Sequence, residues 1–409
     1  SSNLTLTPED FPLHQLADMN DRNSAIAYTT NDAVSSEGTF SGAFLSIVAD
    51  NNQDSCGDAD ATVFGEGLAG LAHRRVEPRN APTTINAVFN HRNFWDGRAN
   101  NRFNGVDPFG DRNKDARVLI HGRRGVTLHR LRLDNASLAS QAAGPPLSPM
   151  EMACAGKSFT DIAKKLLPMR ALKDQEVSSN DSHLSSLVHS SGKGLNATYE
   201  DMIVRAFSRK FWGAGTDDLY KIENNGSGPF ITEGQGFTQM ENNFPMFWSI
   251  AIMLYESTLV SDDSPVDRYF DGDGELSASE TLGMNVFVDK GKCVSCHKTA
   301  MFTGASTLHL IGENAEDGLI ERMGMAQGAN GTTNPAALYD NGFYNIGVTP
   351  TVHDIGLGGV DPWGNTLSHT RQYIGELKRK KPVDPFSTDE CKFEVRIGED
   401  VNGFDDFFT

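Results

Sequence analysis

The longest apolar run in the chain lies between Phe244 and Tyr255, interrupted by Pro245 and Ser249 and closed by Glu256. It is shorter than the roughly 20 residues that a membrane-crossing helix needs, and it predicts a helix buried on all sides. Caps announce two further helices. Ser158 and Asp161 precede Ile162 and Leu166, and Ser277 with Glu280 forms a capping box ahead of Leu282, Val286 and Phe287. Between such runs stand segments like NNGSG, GDGE and GGVDPWG. Gly tolerates positive φ and Pro lacks an amide hydrogen, so these segments describe long ordered loops between short helices. No unit recurs at a fixed period, which excludes a solenoid.

The 409 residues suffice for two or three domains with a well-buried core, which excludes a disulfide-stapled miniprotein and a disordered chain. A formal charge of −18 disfavours nucleic acid and anionic membrane surfaces as partners and helps a basic one. The opening residues Ser1 to Thr5 hold no basic region, apolar core or initiator Met. We therefore expect either that a targeting segment has been removed or that the chain is a piece of something longer.

Among the five cysteines, Cys293 and Cys296 stand in KCVSCH with His297 adjoining, the c-type haem attachment pattern. Two thiols on one tight turn can each add to a haem vinyl group, and the next residue is then held beneath the iron as its axial ligand. A redox dithiol would not need His297, and half a zinc site would need a second CxxC, which the chain lacks. The stretch Tyr269 to Glu280 also resembles a calcium loop, with Asp271, Asp273, Gly274 and Glu280 at positions three, five, six and twelve. Tyr269 in the first position offers no carboxylate, which favours the capped helix. Covalent haem is generally attached outside the bacterial cytoplasm, where disulfides persist. Spacing alone leaves the pairing of Cys56, Cys154 and Cys391 open; we expect Cys56 with Cys154, and Cys391 single or paired outside this chain.

Further segments read RNAPTTINAVFN from Arg79, NFWDGRA from Asn93, QAAGP from Gln141, PMEM from Pro149 and DNGFYNIGV from Asp340. With KCVSCH, in this order, the chain resembles the bacterial di-haem cytochrome c peroxidase superfamily. That superfamily includes the di-haem enzymes that mature a tryptophan-derived quinone and, more distantly, the haem rubber oxygenases; the likeness is greatest to its long members. The resemblance implies a mainly α fold with two cytochrome c-like haem lobes, extensive irregular loops and a few short strands. A divide within Asn224 to Gly236 would give a peroxidatic-haem lobe at 1–235 and an electron-transfer haem lobe at 236–409.

By the same resemblance Trp95 lies between the two haems, Glu151 is the acid–base carboxylate over the peroxidatic haem with Gln141 nearby, Asn80 is a calcium ligand and His73 a displaceable distal ligand. Each has a plainer alternative. Trp95 could be a packed indole with its N–H satisfied, and Glu151 a surface carboxylate after a proline turn. His73, beside Arg74 and Arg75, could lie in an exposed basic turn, and Asn80 could cap a helix before Pro82. His121, His129, His309, His353 and His369 show no ligand spacing.

Two haems require two CxxCH motifs, and one is present. We expect the first to lie upstream of Ser1, and the chain to be cut at both ends relative to the family. The implied activity is reduction of hydrogen peroxide, with electrons passed from the c-type haem through Trp95 to the peroxidatic haem. The implied cofactors are haem c, one attached here and a second expected, and calcium. A small electron donor, a cytochrome c or a cupredoxin, would be the partner in the periplasm or outside the cell. The resemblance implies no nucleic acid and no membrane span, and it allows a homodimer. Two other functions stay open: oxidation of a protein side chain or an organic polymer on the same scaffold, and electron transfer without catalysis.

Overall fold

A computed structural model describes residues 14–18, 24–29, 42–51, 53–57, 81–297, 300–311, 318–323, 337–343 and 358–377. Among them helix exceeds strand, and turns link short elements throughout. The strands form antiparallel pairs: β1 (His14–Leu16) with β2 (Ile26–Thr29), β3 (Phe44–Ser46) with β4 (Ser55–Cys56), β5 (Val118–Gly122) with β6 (Gly125–His129), β7 (Tyr220–Asn224) with β8 (Pro229–Glu233), and β9 (Ile320–Met323) with β10 (Ala337–Asp340). The α-helices are α1 (Ser137–Ala142), α2 (Phe159–Leu166), α3 (Tyr199–Ala206), α4 (Gln239–Asn242), α5 (Phe244–Glu256), α6 (Pro265–Asp271), α7 (Ala278–Asn285), α8 (Thr307–Ile311) and α9 (His369–Leu377). The chain divides into two compact units, one of residues 1–80 with 145–165, the other of residues 81–144 with 166–409.

Local sequence accounts for most helix starts. Thr198, Thr238, Ser264 and Ser277 each accept the amide of a carboxylate residue three positions on, and that carboxylate accepts the cap's own amide. Ser158 and Asp161 make the same reciprocal pair ahead of α2. The helix expected after Ser277 runs to Asn285 and continues as one π turn, Val286–Lys290. The Gly-rich stretch from Asn224 forms the tip and return of the β7–β8 hairpin, where Gly226 and Gly228 take φ of 87° and 130°.

In the larger unit the core gathers on α5. Phe244, Met246, Phe247, Ile250 and Met253 are buried, and Phe207 meets the Phe247 ring edge-on at 4.8 Å. The helix is not buried on all sides, however, because Ala251 and Tyr255, four apart on one face, are exposed. The Trp248 indole donates to the Ala142 carbonyl at 3.1 Å and ties α5 to α1. Leu119, Val126 and Tyr220 form a second cluster that packs the β5–β6 hairpin on β7–β8.

Asn243, directly before α5, is 1% exposed. It accepts from the Leu119 amide at 2.8 Å and donates to the carbonyls of Leu119 at 2.7 Å and Phe211 at 2.8 Å. Asn243→Ala removes three bonds to buried backbone groups, although the Leu119 carbonyl keeps the Gln239 side chain at 2.9 Å, and should destabilise the protein by about 2 kcal/mol, seen as a lower denaturant midpoint at unchanged slope.

Candidate functional site

Lys292, at φ 54°, leads into a 3₁₀ turn, Cys293–Ser295. The Cys293 carbonyl accepts the amides of Cys296 at 3.1 Å and His297 at 2.9 Å, so one oxygen gathers the second thiol and the imidazole beside the first thiol. Both thiols are exposed and unbonded. The His297 Nδ1 lies 2.9 Å from the Phe302 carbonyl, which can only accept, so Nδ1 carries the proton and Nε2 keeps its lone pair. Phe302 itself sits at φ 52°, a strained conformation for an aromatic residue, and its ring meets that of Phe287 at 5.7 Å.

The surroundings of this loop can be tested against haem. Neither α6, α7 nor the π turn buries a single residue, while Phe270, Leu282 and Leu308 are 73%, 64% and 69% exposed. Helices do not hold so much apolar surface in water without something to cover it. Two open thiols, an oriented imidazole with a free Nε2 and an uncovered apolar shell fit a covalently held porphyrin. Among the described residues no three His, Cys, Asp or Glu side chains are grouped to hold a metal ion.

Trp95 lies on a turn closed by paired bonds between Asn93 and Ala99, at 3.3 and 3.2 Å. The Asp96 carboxylate, fully buried, binds Arg98 at 2.8 Å, and the Arg98 guanidinium lies over the Phe94 ring at 4.6 Å. Phe94 takes φ 60°, and Gly97 takes φ 70°, where a β-carbon would stand 2.9 Å from the Phe343 ring. Trp95 is 46% exposed, so its indole is about half packed.

The motif segments meet here. The Asn93 amide donates to Ser137 Oγ at 2.8 Å at the start of α1, and a β-carbon on Gly144 would meet the Phe94 ring at 2.9 Å. The turn therefore rests on the helix that carries Gln141, itself partly buried. Behind the CxxCH loop, the Ala305 carbonyl accepts the His91 amide at 2.9 Å and Asn90 bridges Ser306, while Gly342 packs against Ala305. The CxxCH loop and the Trp95 turn thus share one framework built from 90–99, 304–306 and 340–343.

Asp340 reinforces this framework in a way the sequence did not signal. Its buried carboxylate accepts from Ser368 Oγ at 2.8 Å and from the amides of His369 and Thr370 at 2.9 and 2.8 Å, which caps α9 from elsewhere in the chain. His369, without a role on spacing, is buried against the Arg92 guanidinium.

Glu151 belongs to the smaller unit. It is partly buried, on a turn in which the Ser148 carbonyl faces the amides of Glu151, Met152 and Ala153 at 3.1–3.2 Å. Three residues on, Cys154 is bonded to Cys56, the pairing expected. Asp54 binds Lys157 and, at 2.6 Å, Lys165. Burial alone would raise the Asp54 carboxyl, but the two ammonium groups outweigh it and hold it below the usual carboxylate range. His73, Asn80 and Cys391 lie outside the described residues.

The sequence model of the di-haem cytochrome c peroxidase family matches residues 45–211, a span that contains Trp95, Gln141 and Glu151. Over that span the chain is similar to the di-haem cytochrome c peroxidases. It is 27% identical over 232 residues to cytochrome c peroxidase Ccp of Escherichia coli (strain K12), covering 56% of this chain and 29% of that protein. It is 25% identical over 221 residues to cytochrome c551 peroxidase of Pseudomonas aeruginosa, covering 54% and 36%. With the methylamine utilization protein MauG of Methylophilus methylotrophus it shares 33% identity over 149 residues, 36% of this chain and 41% of that one. The chain therefore spans less than half the length of each. No solved structure matches it. No helix among its described residues is long and apolar enough to cross a membrane.

Proposed function

We propose that this chain carries the electron-transfer haem site and the peroxide-handling residues of a di-haem peroxidase. The observation that supports it most is the common framework of the CxxCH loop and the Trp95 turn, which places an uncovered indole on the scaffold that presents the proximal imidazole. Cys293 and Cys296 would anchor the haem, and His297 Nε2 would ligate its iron with the ring oriented by the Phe302 carbonyl. Haem supplies the redox chemistry when bound.

Hydrogen peroxide becomes two waters by gaining two electrons and two protons. Glu151 would move a proton between the two peroxide oxygens as the O–O bond breaks, and Gln141 belongs to the same reading as a polar residue of the site. Trp95 shortens the electron path to a second haem, for which this sequence holds no CxxCH of its own. The proposed lobes are 1–235 about the peroxidatic haem and 236–409 about the other. Calcium at Asn80, a distal role for His73, a cytochrome c or cupredoxin as donor, and a site outside the bacterial cytoplasm belong to the same reading.

Trp95→Leu in the full-length, haem-loaded protein should slow electron transfer between the haems at least tenfold, measured by stopped-flow absorbance, with both haems retained. An unchanged rate would refute the relay. The likeness to the MauG protein sustains a second reading, oxidation of another organic substrate with the same parts. Product analysis with peroxide against dioxygen separates the two.

A further inference from the structure

Residues 42–57, to which the Glu151 turn is joined, contribute no fully buried apolar side chain among those described. Of residues 42–57, the described apolar side chains are all at least partly exposed, Leu45 at 63% and Val48 at 37%. Ala153, Phe159, Ile162 and Ala163 of 145–165 are buried, so apolar burial contributes within this unit, and specific bonds add to it. Three ties join the two segments, the first of them three residues after Glu151. Cys154 is covalently joined to Cys56. Ala155 exchanges backbone bonds with Gly42 and Phe44, both at 2.9 Å. Lys157 binds Asp54, with the Phe44 ring 5.8 Å from its ammonium, and Lys165 takes the other oxygen of the same carboxylate at 2.6 Å.

A charged group that must meet a peroxide oxygen has to be held to within about half an ångström of its working position. The Ser148 carbonyl gathers one end of the turn, and the covalent and ionic ties hold the chain that leaves its other end. We propose that Cys56, Cys154 and Asp54 are positioning residues for Glu151, which hold its turn in the conformation that aims the carboxylate. This rests on the acid–base reading of Glu151 given above. The three residues touch no reacting atom and act through Glu151 alone.

The test uses the full-length, haem-loaded protein. Variants are Cys56→Ser with Cys154→Ser, Asp54→Asn, Asp54→Glu and Glu151→Gln, and each of the first two combined with Glu151→Gln. In the cysteine pair variant and in Asp54→Asn, kcat with peroxide should fall about 10- to 100-fold with KM little changed. The limb of the pH profile that reports the carboxylate should broaden or vanish. Amide hydrogen exchange across 148–157 should quicken, with haem absorption unaltered. Asp54→Glu should restore most of the rate, and neither tie should matter further once Glu151 is Gln.

Full activity, or unchanged exchange, in both tie variants overturns the proposal while leaving Glu151 in its role. Equal further losses in the Glu151→Gln background overturn it too, because the ties then act on something else. Full activity of Glu151→Gln itself overturns the underlying reading of the carboxylate. Asp54→Asn keeps the question answerable should the cysteine variant fail to fold.

Discussion

Replacing Cys293 and Cys296 with serine will leave the 292–297 loop without covalent haem and open residues 265–297 to protease. The reason is length. The helices α6 and α7 have seven and eight residues and bury none of them. Isolated helices are marginal in water even at about 12–15 residues, and a capping box adds only about 1 kcal/mol to each. Whatever covers Phe270, Leu282 and Leu308 therefore supplies the stability of this region. Pyridine haemochrome absorbance and limited proteolysis with fragment mapping check both halves of the expectation. Protection equal to wild type would mean that protein, not porphyrin, covers the shell. The core around α5 should keep its protection in either case.

Glu151→Gln should lower peroxide turnover by about 10²- to 10⁴-fold, the range typical of a lost general acid–base group. The amide has nearly the shape of the carboxylate but cannot carry the proton, so haem content and absorption should stay the same. Electron exchange with a donor protein should also persist, since it needs no proton at that site. If peroxide turnover survives intact, the remaining reading is a module that carries electrons without catalysis.

Features whose causes lie within a few residues were legible in the sequence. The boxes at Ser158 and Ser277, the helix after Phe244 and the tight turn of the CxxCH motif each follow from neighbours in the chain. What could not be read depends on distant partners. Asp54 finds its lysines 103 and 111 positions away, and Asp340 caps a helix that starts 29 positions later. Asn243 looked like one polar residue among several in ENNF, and only the approach of Leu119 and Phe211 turns it into a hub. The conformation of Phe302 was equally silent, because an aromatic residue at positive φ contradicts local preference and is held there by its surroundings. The expectation of all-round burial for α5 failed for the opposite reason: composition was apolar, but Ala251 and Tyr255 fall on the face left open.

The bridge between Cys56 and Cys154 encloses a loop of 98 positions, and that span orders how the thiols mature. For a chain emerging N-terminus first at about 5–20 residues per second, Cys154 follows Cys56 by roughly 5–20 s. Cys293 and Cys296 come later still. In an oxidising compartment the early pair can close before Cys293 and Cys296 arrive, which keeps those two later thiols out of the crosslink.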